Sequence, residues 1–174
     1  MIRIFLLASL IISNFTLAEY TNSNGKALEK PFKDLIKWVR SDVEPKLAQI
    51  DVSSEWQTIN LNEADNYIIW IGHSTFLIKK EGITILTDPV FSDRASPFKN
   101  VGPERLIPPA ISIDQLPKID FVTVSHNHYD HLDINSLKEI SKLHSEAIFF
   151  VPIGDGKLLK RKRIKNVYEF NWWE

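Results

Sequence analysis

The stretch SHNHYDHLD at residues 125–133 decides the fold and the chemistry of this 174-residue chain. It holds three of the chain's five histidines together with two carboxylates, and it follows directly on the largely apolar residues 119–124. Imidazole nitrogens and carboxylate oxygens are the ligands that zinc and similar divalent ions take, at roughly 2.0 to 2.2 Å. A turn that leaves the end of a strand can aim several such groups at one place. The pattern HxHxDH therefore predicts a metal site.

Four side chains of this turn are the candidate metal ligands. His126 and His128 lie two residues apart and can face one ion, whereas Asp130 and His131 lie further round the turn and can face a second. A lone histidine is better explained by a surface or helix-capping role, but four candidate ligands within six residues favour metal binding. Asp133 has a different expected role as the N-cap of the next helix, because Asp accepts hydrogen bonds from the free amides of a first helical turn.

This motif and the strings around it resemble the metallo-β-lactamase superfamily. The similarity covers WIGHSTFLI at 70–78, TDPVFSDRASP at 87–97, GPER at 102–105, the metal turn, FVPIG at 150–154 and WWE at 172–174. The combination is similar to the branch that contains N-acyl-phosphatidylethanolamine-hydrolysing phospholipase D. The resemblance implies an α/β fold of the αβ/βα sandwich type, a two-zinc site, and hydrolysis of a phosphodiester bond in a lipid or a related amphiphile.

The same resemblance implies roles for individual residues. His126 and His128 hold the first zinc ion, and Asp130 and His131 hold the second. Asp130 also orients the nucleophile, which makes it the candidate catalytic residue. Asp88 lies beneath the metal turn, where a carboxylate can accept a hydrogen bond from a ligand histidine; a plain turn-capping role before Pro89 explains Asp88 equally well.

The ligand count is the point at which the chain departs from the family. Members complete the site with a further histidine, a metal-bridging aspartate and a last histidine, all C-terminal to the matched part. Of the remaining histidines, His73 is expected near the site without being a ligand, and His144 as a solvated helix residue. We therefore expect the N-terminal half of a sandwich whose partner is a missing C-terminal half, and no appreciable phosphodiesterase activity of the chain alone. The alternatives are an inactive remnant with weak metal binding and a metallohydrolase that acts on another ester.

The first residues predict export. Arg3 supplies a positive charge, residues 4–12 are apolar apart from Ser9, and Thr-Leu-Ala at 16–18 ends in the small residue that a signal peptidase prefers. We predict a signal peptide over residues 1–18 and a periplasmic or secreted protein, with a retained membrane-associated anchor as the alternative. The chain contains no cysteine, so disulfides cannot stabilise it.

The charge of the exported chain bears on its partners. Cleavage removes Arg3 and no acid, so 21 basic side chains become 20 against 22 acidic ones, a net charge of −2. This balance argues against nucleic acid, and the expected partner is a lipid or another phosphodiester. The segment KLLKRKRIK at 157–165 carries six basic residues in nine. It is either a solvated helix face or a contact to anionic head groups at a membrane surface.

The chain divides into three predicted parts, with the signal peptide followed by a linker and N-terminal helical segment at 19–66 and a partial metallo-β-lactamase-like domain at 67–174. The helix is expected from Pro31 onwards, because apolar residues follow it at helical spacing. Runs of β-branched and aromatic residues at 67–71, 75–79 and 83–87 predict an antiparallel meander. A helix at 134–143 and strands at 147–151 and 167–170 predict a βαβ unit.

The proline-rich residues 91–109 predict an ordered loop with little regular structure. The resemblance places this loop at the rim of the site, where Phe91, Phe98 and Arg105 could meet the acyl or phosphate group of a substrate. The alternative is that the loop only closes the edge of the sheet.

Overall fold

A computed structural model describes residues 33–34, 36–37, 53–98, 100–171 and 173–174. The chain divides into two compact units, Met1–Gln49 and Ile50–Glu174. The predicted signal peptide lies outside the described residues, as does most of the segment 19–66. Of the helix predicted from Pro31, the residues Lys33, Asp34, Ile36 and Lys37 are described, and they are helical. In the described part, no helix has the length and apolar character needed to cross a bilayer.

The second unit is built on a sheet of six strands that lie side by side in chain order. The first three strands are antiparallel, as the meander predicted, and the third to sixth are parallel. The predicted strand positions are confirmed to within a residue or two at each end. The strands are β1 Tyr67–Gly72, β2 Thr75–Lys80, β3 Ile83–Thr87, β4 Phe121–Thr123, β5 Ile148–Pro152 and β6 Val167–Phe170.

Two helices connect the parallel strands. Helix α1 spans Ile134–Leu143 between β4 and β5, and helix α2 spans Gly156–Arg161 between β5 and β6. A parallel pair needs such a crossover, because its second strand starts at the opposite end of the sheet from where the first one stops. Helix α1 begins at Asp133, whose side chain accepts hydrogen bonds from the amides of Asn135 and Ser136. The predicted βαβ unit and the predicted N-cap are confirmed.

One face of the sheet forms the hydrophobic core with the helices. Side chains alternate between the two faces of a strand. The core therefore takes every second residue of each strand, and these pack with Leu137 and Ile140 of α1 and Leu159 of α2. The buried apolar strand residues are Ile69, Ile71, Leu77, Leu86, Val122, Phe149 and Val151.

The other face of the sheet is also apolar. It carries aromatic neighbours such as Phe121 and Phe150, whose rings stack with centroids 5.5 Å apart. A sheet with two apolar faces is typical of the inner layer of a sandwich, as predicted for this fold class. The side chains exposed on this face include Ile68, Trp70, Phe76, Ile83, Tyr168 and Phe170.

The strand directions bring three turns to the same edge of the sheet. Strands β1, β3 and β4 run in the same direction, so the turns that follow them share one edge. The pairing of Thr87 with Thr123 places the residues after β3 beside those after β4, and the amide of Asp88 donates to the carbonyl of Thr123 at 2.8 Å. Sites in parallel sheets form where strands end in this way. The metal turn follows β4 and therefore lies at this edge.

Candidate metal centre

The turn between β4 and α1 gathers its three histidines into one cluster. The ring centroid of His126 lies 4.7 Å from that of His128 and 4.0 Å from that of His131. The turn is closed by backbone hydrogen bonds from the amides of His131 and Leu132 to the carbonyl of His128, at 3.0 and 2.7 Å. Leu132 is buried in the core, which anchors the end of the turn. The four predicted ligands therefore lie within one short, hydrogen-bonded loop.

A further histidine joins this cluster from another turn. His73, in the β1–β2 turn, places Nε2 3.2 Å from Oδ2 of Asp130. Among the residues that the structure describes, His73, Asp130 and His131 form one group of three potential ligands whose donor atoms all lie within 4.8 Å of one another. His73 was expected near the site but not among the ligands. Its position follows from the topology, because β1 ends at the same sheet edge as β3 and β4.

The distances between donor atoms fit metal ligation. Two donors bound to one tetrahedral zinc ion at about 2.0 to 2.1 Å lie roughly 3.3 Å apart. Nε2 of His126 lies 3.1 Å from Nδ1 of His128. Oδ2 of Asp130 lies 3.2 Å from Nε2 of His73 and 3.6 Å from Nε2 of His131. Both the donor types and their spacing therefore fit a divalent metal site.

Asp88 determines which nitrogen of His131 is free. Its Oδ2 lies 2.8 Å from Nδ1 of His131. A carboxylate accepts hydrogen bonds, so Nδ1 carries the hydrogen and Nε2 keeps its lone pair. That nitrogen is the one that faces Asp130. Of the two roles considered for Asp88, the contact to a candidate ligand histidine is confirmed by this geometry, which is how supporting carboxylates fix ligand tautomers.

Ser125 extends the same arrangement to His126. Its hydroxyl donates to Oδ2 of Asp88 at 2.7 Å, and its amide donates to Oδ1 at 2.6 Å. Because the single hydroxyl hydrogen is used in this way, the Ser125 oxygen accepts from Nδ1 of His126, 3.0 Å away. Nε2 of His126 is then the nitrogen with the free lone pair, and it is the one that faces His128. One aspartate thus orients two candidate ligands.

The backbone of Asp88 is held in an unusual conformation. Its φ is +36°, in the left-handed region that side-chain-bearing residues seldom adopt. The fully buried Thr75 accounts for this, since its hydroxyl donates to the carbonyl of Asp88 at 2.7 Å and accepts from the amide of Val90 at 3.2 Å. Strained residues of this kind cluster at functional sites, where the surrounding structure holds them in place.

Electrostatics favour the metal-binding form of His126. Burial lowers the pKa of His126, and the neighbouring His131 and His128 lower it further. The neutral imidazole is therefore favoured near neutral pH, and only the neutral ring has a lone pair for a metal. This agrees with the hydrogen-bond pattern derived from Ser125.

The proline-rich loop is ordered, and the side chain of Arg105 makes hydrogen bonds to other residues of the same loop. Its guanidinium donates to the carbonyl of Ser92 at 3.3 Å and to the carbonyl of Val90. Burial lowers the pKa of Arg105, while Asp133 acts in the opposite direction. Gly72 lies beside it with φ +146°, a conformation that side-chain-bearing residues rarely adopt, and a Cβ there would lie 3.2 Å from an Arg105 nitrogen. Arg105 therefore joins two parts of the proline-rich loop and lies against Gly72, a role that the sequence did not reveal.

The two phenylalanines of this loop differ. Phe91 packs against the core, whereas Phe98 is 57% exposed.

The expectation that His144 is a solvated helix residue was wrong. This residue ends α1 and is half-buried, and its Nδ1 accepts from the amide of Ile119 at 3.4 Å. Burial lowers its pKa.

Comparison with known proteins agrees with the fold. Residues 67–170 match the family model described as the beta-lactamase superfamily domain. The match covers more than half of the chain, and the chain belongs to this superfamily. The resemblance inferred from HxHxDH and its flanking strings is confirmed.

Two relatives are phospholipases by name. N-acyl-phosphatidylethanolamine-hydrolyzing phospholipase D 1 of Caenorhabditis elegans is 42% identical over 118 residues, which cover 65% of this chain and 33% of that protein. The mitochondrial enzyme of the same name from Saccharomyces cerevisiae is 40% identical over 108 residues, covering 62% of this chain and 23% of that protein. This chain spans at most about a third of the length of these relatives.

The solved structures include the isothiocyanate hydrolase from Delia radicum gut bacteria. It is 19% identical, with a TM-score of 0.49, and the match covers 60% of this chain and 41% of that one.

Proposed function

We propose that residues 67–174 are the metal-binding part of a zinc-dependent hydrolase that cleaves a phosphodiester bond in lipids like N-acyl-phosphatidylethanolamine. The observation that carries the proposal is the convergence of imidazole and carboxylate donors at spacings of 3.1 to 3.6 Å. The metal is implied by the family and by the donor set. The substrate class is supported by the names of the Caenorhabditis elegans and Saccharomyces cerevisiae relatives.

The proposed ligands form two groups. His126 and His128 would hold one ion, and Asp130 and His131 would hold a second, with His73 as an additional donor beside Asp130. Bound zinc would supply an activated water near neutral pH and would polarise the phosphoryl oxygens. The protein keeps the donors ready for this, because Asp88 leaves Nε2 of His131 free and Ser125 leaves Nε2 of His126 free.

Asp130 is the residue that we propose to act on the nucleophile. Its carboxylate side chain is 44% exposed, whereas the side chain of His131 behind it is 17% exposed. An oxygen of Asp130 can therefore accept a hydrogen bond from an attacking water and hold the proton that the water loses. Such positioning of a proton acceptor contributes about 10²- to 10⁴-fold to the rate of a hydrolysis.

A membrane surface is the proposed partner of the basic segment at 157–165. Leu159 and Ile164 of this segment are buried, so these two side chains attach the segment to the core. The basic side chains are all exposed, and each one near an anionic surface adds about 1 kcal/mol of attraction. They are Lys157, Lys160, Arg161, Lys162, Arg163 and Lys165.

Export remains part of the proposal. Cleavage after Ala18 would give a mature protein that begins at Glu19, in the periplasm or outside the cell. The mass of the intact protein recovered from the producing cell measures this directly. A full-length mass in a soluble cytosolic fraction would contradict export.

The experiment for the enzymatic proposal is a graft. Residues 67–170 of this chain replace the matching region of the Caenorhabditis elegans relative, and release of phosphatidic acid from N-acyl-phosphatidylethanolamine vesicles is measured. We expect the graft to hydrolyse this lipid when zinc is present. The same graft with His126→Ala and His128→Ala is the control and should be inactive.

Two results of this experiment would contradict the proposal. A folded graft that cleaves other esters but not the phospholipid would favour a different metallohydrolase. A folded graft that retains no zinc would favour the inactive remnant. The 174-residue chain alone, assayed beside the graft, tests separately the expectation that it has no appreciable activity.

A further inference from the structure

A buried carboxylate lies behind the metal turn with no role in the chemistry proposed above. Asp155 is 6% exposed and occupies the N-cap position of α2. An aspartate at this position normally accepts a hydrogen bond from an amide of the first helical turn. The Asp155 side chain makes no such bond. Its burial therefore needs another explanation, since a carboxylate is costly to bury without a specific partner.

Another carboxylate binds backbone amides beside the start of this helix. Oε1 of Glu169, on β6, accepts from the amide of Gly154 at 2.9 Å and from the amide of Gly156 at 2.8 Å. The contact is so close that a Cβ at Gly156 would lie 2.7 Å from the carboxyl carbon of Glu169. The backbone of Asp155 is itself helical, with φ −86° and ψ −22°, whereas a capping residue normally has an extended backbone, so the side chain of Asp155 is available for a different contact.

That contact is with the metal turn. Oδ1 of Asp155 accepts a hydrogen bond from Nδ2 of Asn127 at 3.2 Å. Asn127 is the residue between His126 and His128, so its backbone connects the two imidazoles. Any rotation of the peptide at Asn127 moves Nε2 of His126 relative to Nδ1 of His128, which lie 3.1 Å apart.

We propose that Asp155 is a positioning residue for the His126–His128 pair. It holds the side chain of Asn127 and thereby fixes the backbone that sets the distance between the two imidazoles. The proposal rests on the function given above in one respect, namely that this pair binds a metal. Asp155, at the start of α2, thus contributes to the site through Asn127, which lies 28 residues earlier in the sequence.

The first test is zinc affinity, measured on the full chain by competition with a chromophoric chelator. Asp155→Leu and Asn127→Ala should each weaken zinc binding by about tenfold, the lower end of the range for residues that orient ligands. The double variant should bind no more weakly than either single variant, because both break one hydrogen bond. Asp155→Asn should bind as the wild type does, since its amide oxygen can still accept from Asn127.

A matched control separates positioning from general loss of stability. Ile164→Val removes one methyl group from a buried residue just beyond the same helix. It should lower the melting temperature and leave zinc affinity unchanged. Equal loss of affinity in Ile164→Val and Asp155→Leu, or independent losses that add in the double variant, would overturn the proposal.

A second readout does not depend on the metal. In the metal-free chain, hydrogen exchange at the amides of residues 126–131 should be about tenfold faster in Asp155→Leu and Asn127→Ala, while exchange in α1 stays constant. Unchanged exchange in the turn would overturn the positioning role. If the wild type binds no zinc while the two variants still show faster exchange in the turn, the proposed function is contradicted and the positioning role is supported. If Asp155→Leu does not fold, Asn127→Ala decides by the same criteria.

Discussion

The candidate site consists of two layers that differ in exposure and in origin. The donor layer is open, with the side chains of His73 and Asp130 at 51% and 44% exposure. Beneath it lie three buried aspartates, Asp88, Asp133 and Asp155, at 7%, 7% and 6%. Four of the five proposed donors come from one turn, and Asp133 ends that same turn, whereas Asp88 and Asp155 follow β3 and β5. The difference teaches that a compact motif supplies most of the proposed ligands, whereas buried residues at the ends of the strands support them.

The largest effect should come from the donor layer. His126→Ala and His128→Ala each remove a proposed ligand and should weaken zinc binding by more than about 100-fold, beyond the usual cost of losing a supporting residue. Calorimetric titration of the full chain with zinc measures this. His144→Ala is the control and should leave affinity unchanged, because His144 contacts the amide of Ile119 and not the turn. Equal losses in all three variants would mean that the ligands are assigned wrongly.

Asp88→Asn should have the next largest effect, about 10- to 100-fold on zinc affinity. An asparagine amide can present a hydrogen to Nδ1 of His131, which would favour the wrong tautomer of that ring. Ser125→Ala is the matched comparison, because it removes the contact to His126 while Asp88 still fixes His131. Its effect should be smaller. If Ser125→Ala costs as much as Asp88→Asn, a single aspartate does not organise both histidines.

Asp133 lies in the buried layer but serves the fold. Its Oδ2 accepts from the amide of Ser92 at 3.0 Å and from the hydroxyl of Ser136 at 2.6 Å, which joins the proline-rich loop to α1. Asp133→Ala should lower the free energy of unfolding by about 2 kcal/mol, through loss of the cap and of these bonds. Urea denaturation measures this change. A zinc affinity that falls tenfold in the folded variant would show that Asp133 also positions donors.

Four members of the donor layer could be predicted from the sequence because they are close in the chain. HxHxDH identified four ligand candidates, and strand and helix patterns placed them between β4 and α1. The other contacts depend on pairing between distant strands. His73 reaches Asp130 only because β1 and β4 end at one sheet edge. The guanidinium of Arg105 donates to the carbonyls of Val90 and Ser92. Local patterns carry no information about such contacts.

Asp155 was missed for a different reason. An aspartate before a helix predicts an N-cap, but the helical backbone of Asp155 leaves its side chain without a cap bond. Only the fold shows that this side chain accepts a hydrogen bond from Asn127. In the sequence, the three buried aspartates therefore look like ordinary capping residues. Only their contacts in the fold distinguish capping from support of the proposed ligands.

The smallest effect concerns the pH dependence of stability at Asp155. Burial raises the pKa of Asp155, and nearby Glu169 raises it further, while the hydrogen bond from Asn127 lowers it. A raised folded-state pKa means that ionisation disfavours the fold, so the wild type loses stability relative to Asp155→Asn as pH rises through that pKa. Urea midpoints from pH 3 to 8, roughly the range that spans an elevated carboxyl pKa, should show Asp155→Asn more stable only at the upper end. A constant difference would contradict this account.

The central claim is that one turn, held by buried aspartates, presents imidazoles to a metal ion. X-ray absorption at the zinc edge of the zinc-loaded chain tests it most directly. We expect nitrogen and oxygen ligands at about 2.0 to 2.1 Å, with imidazole scattering that is strongly reduced in the His126→Ala, His128→Ala double variant. Imidazole scattering that is unchanged in the double variant, or a wild-type chain that retains no zinc, would contradict the claim.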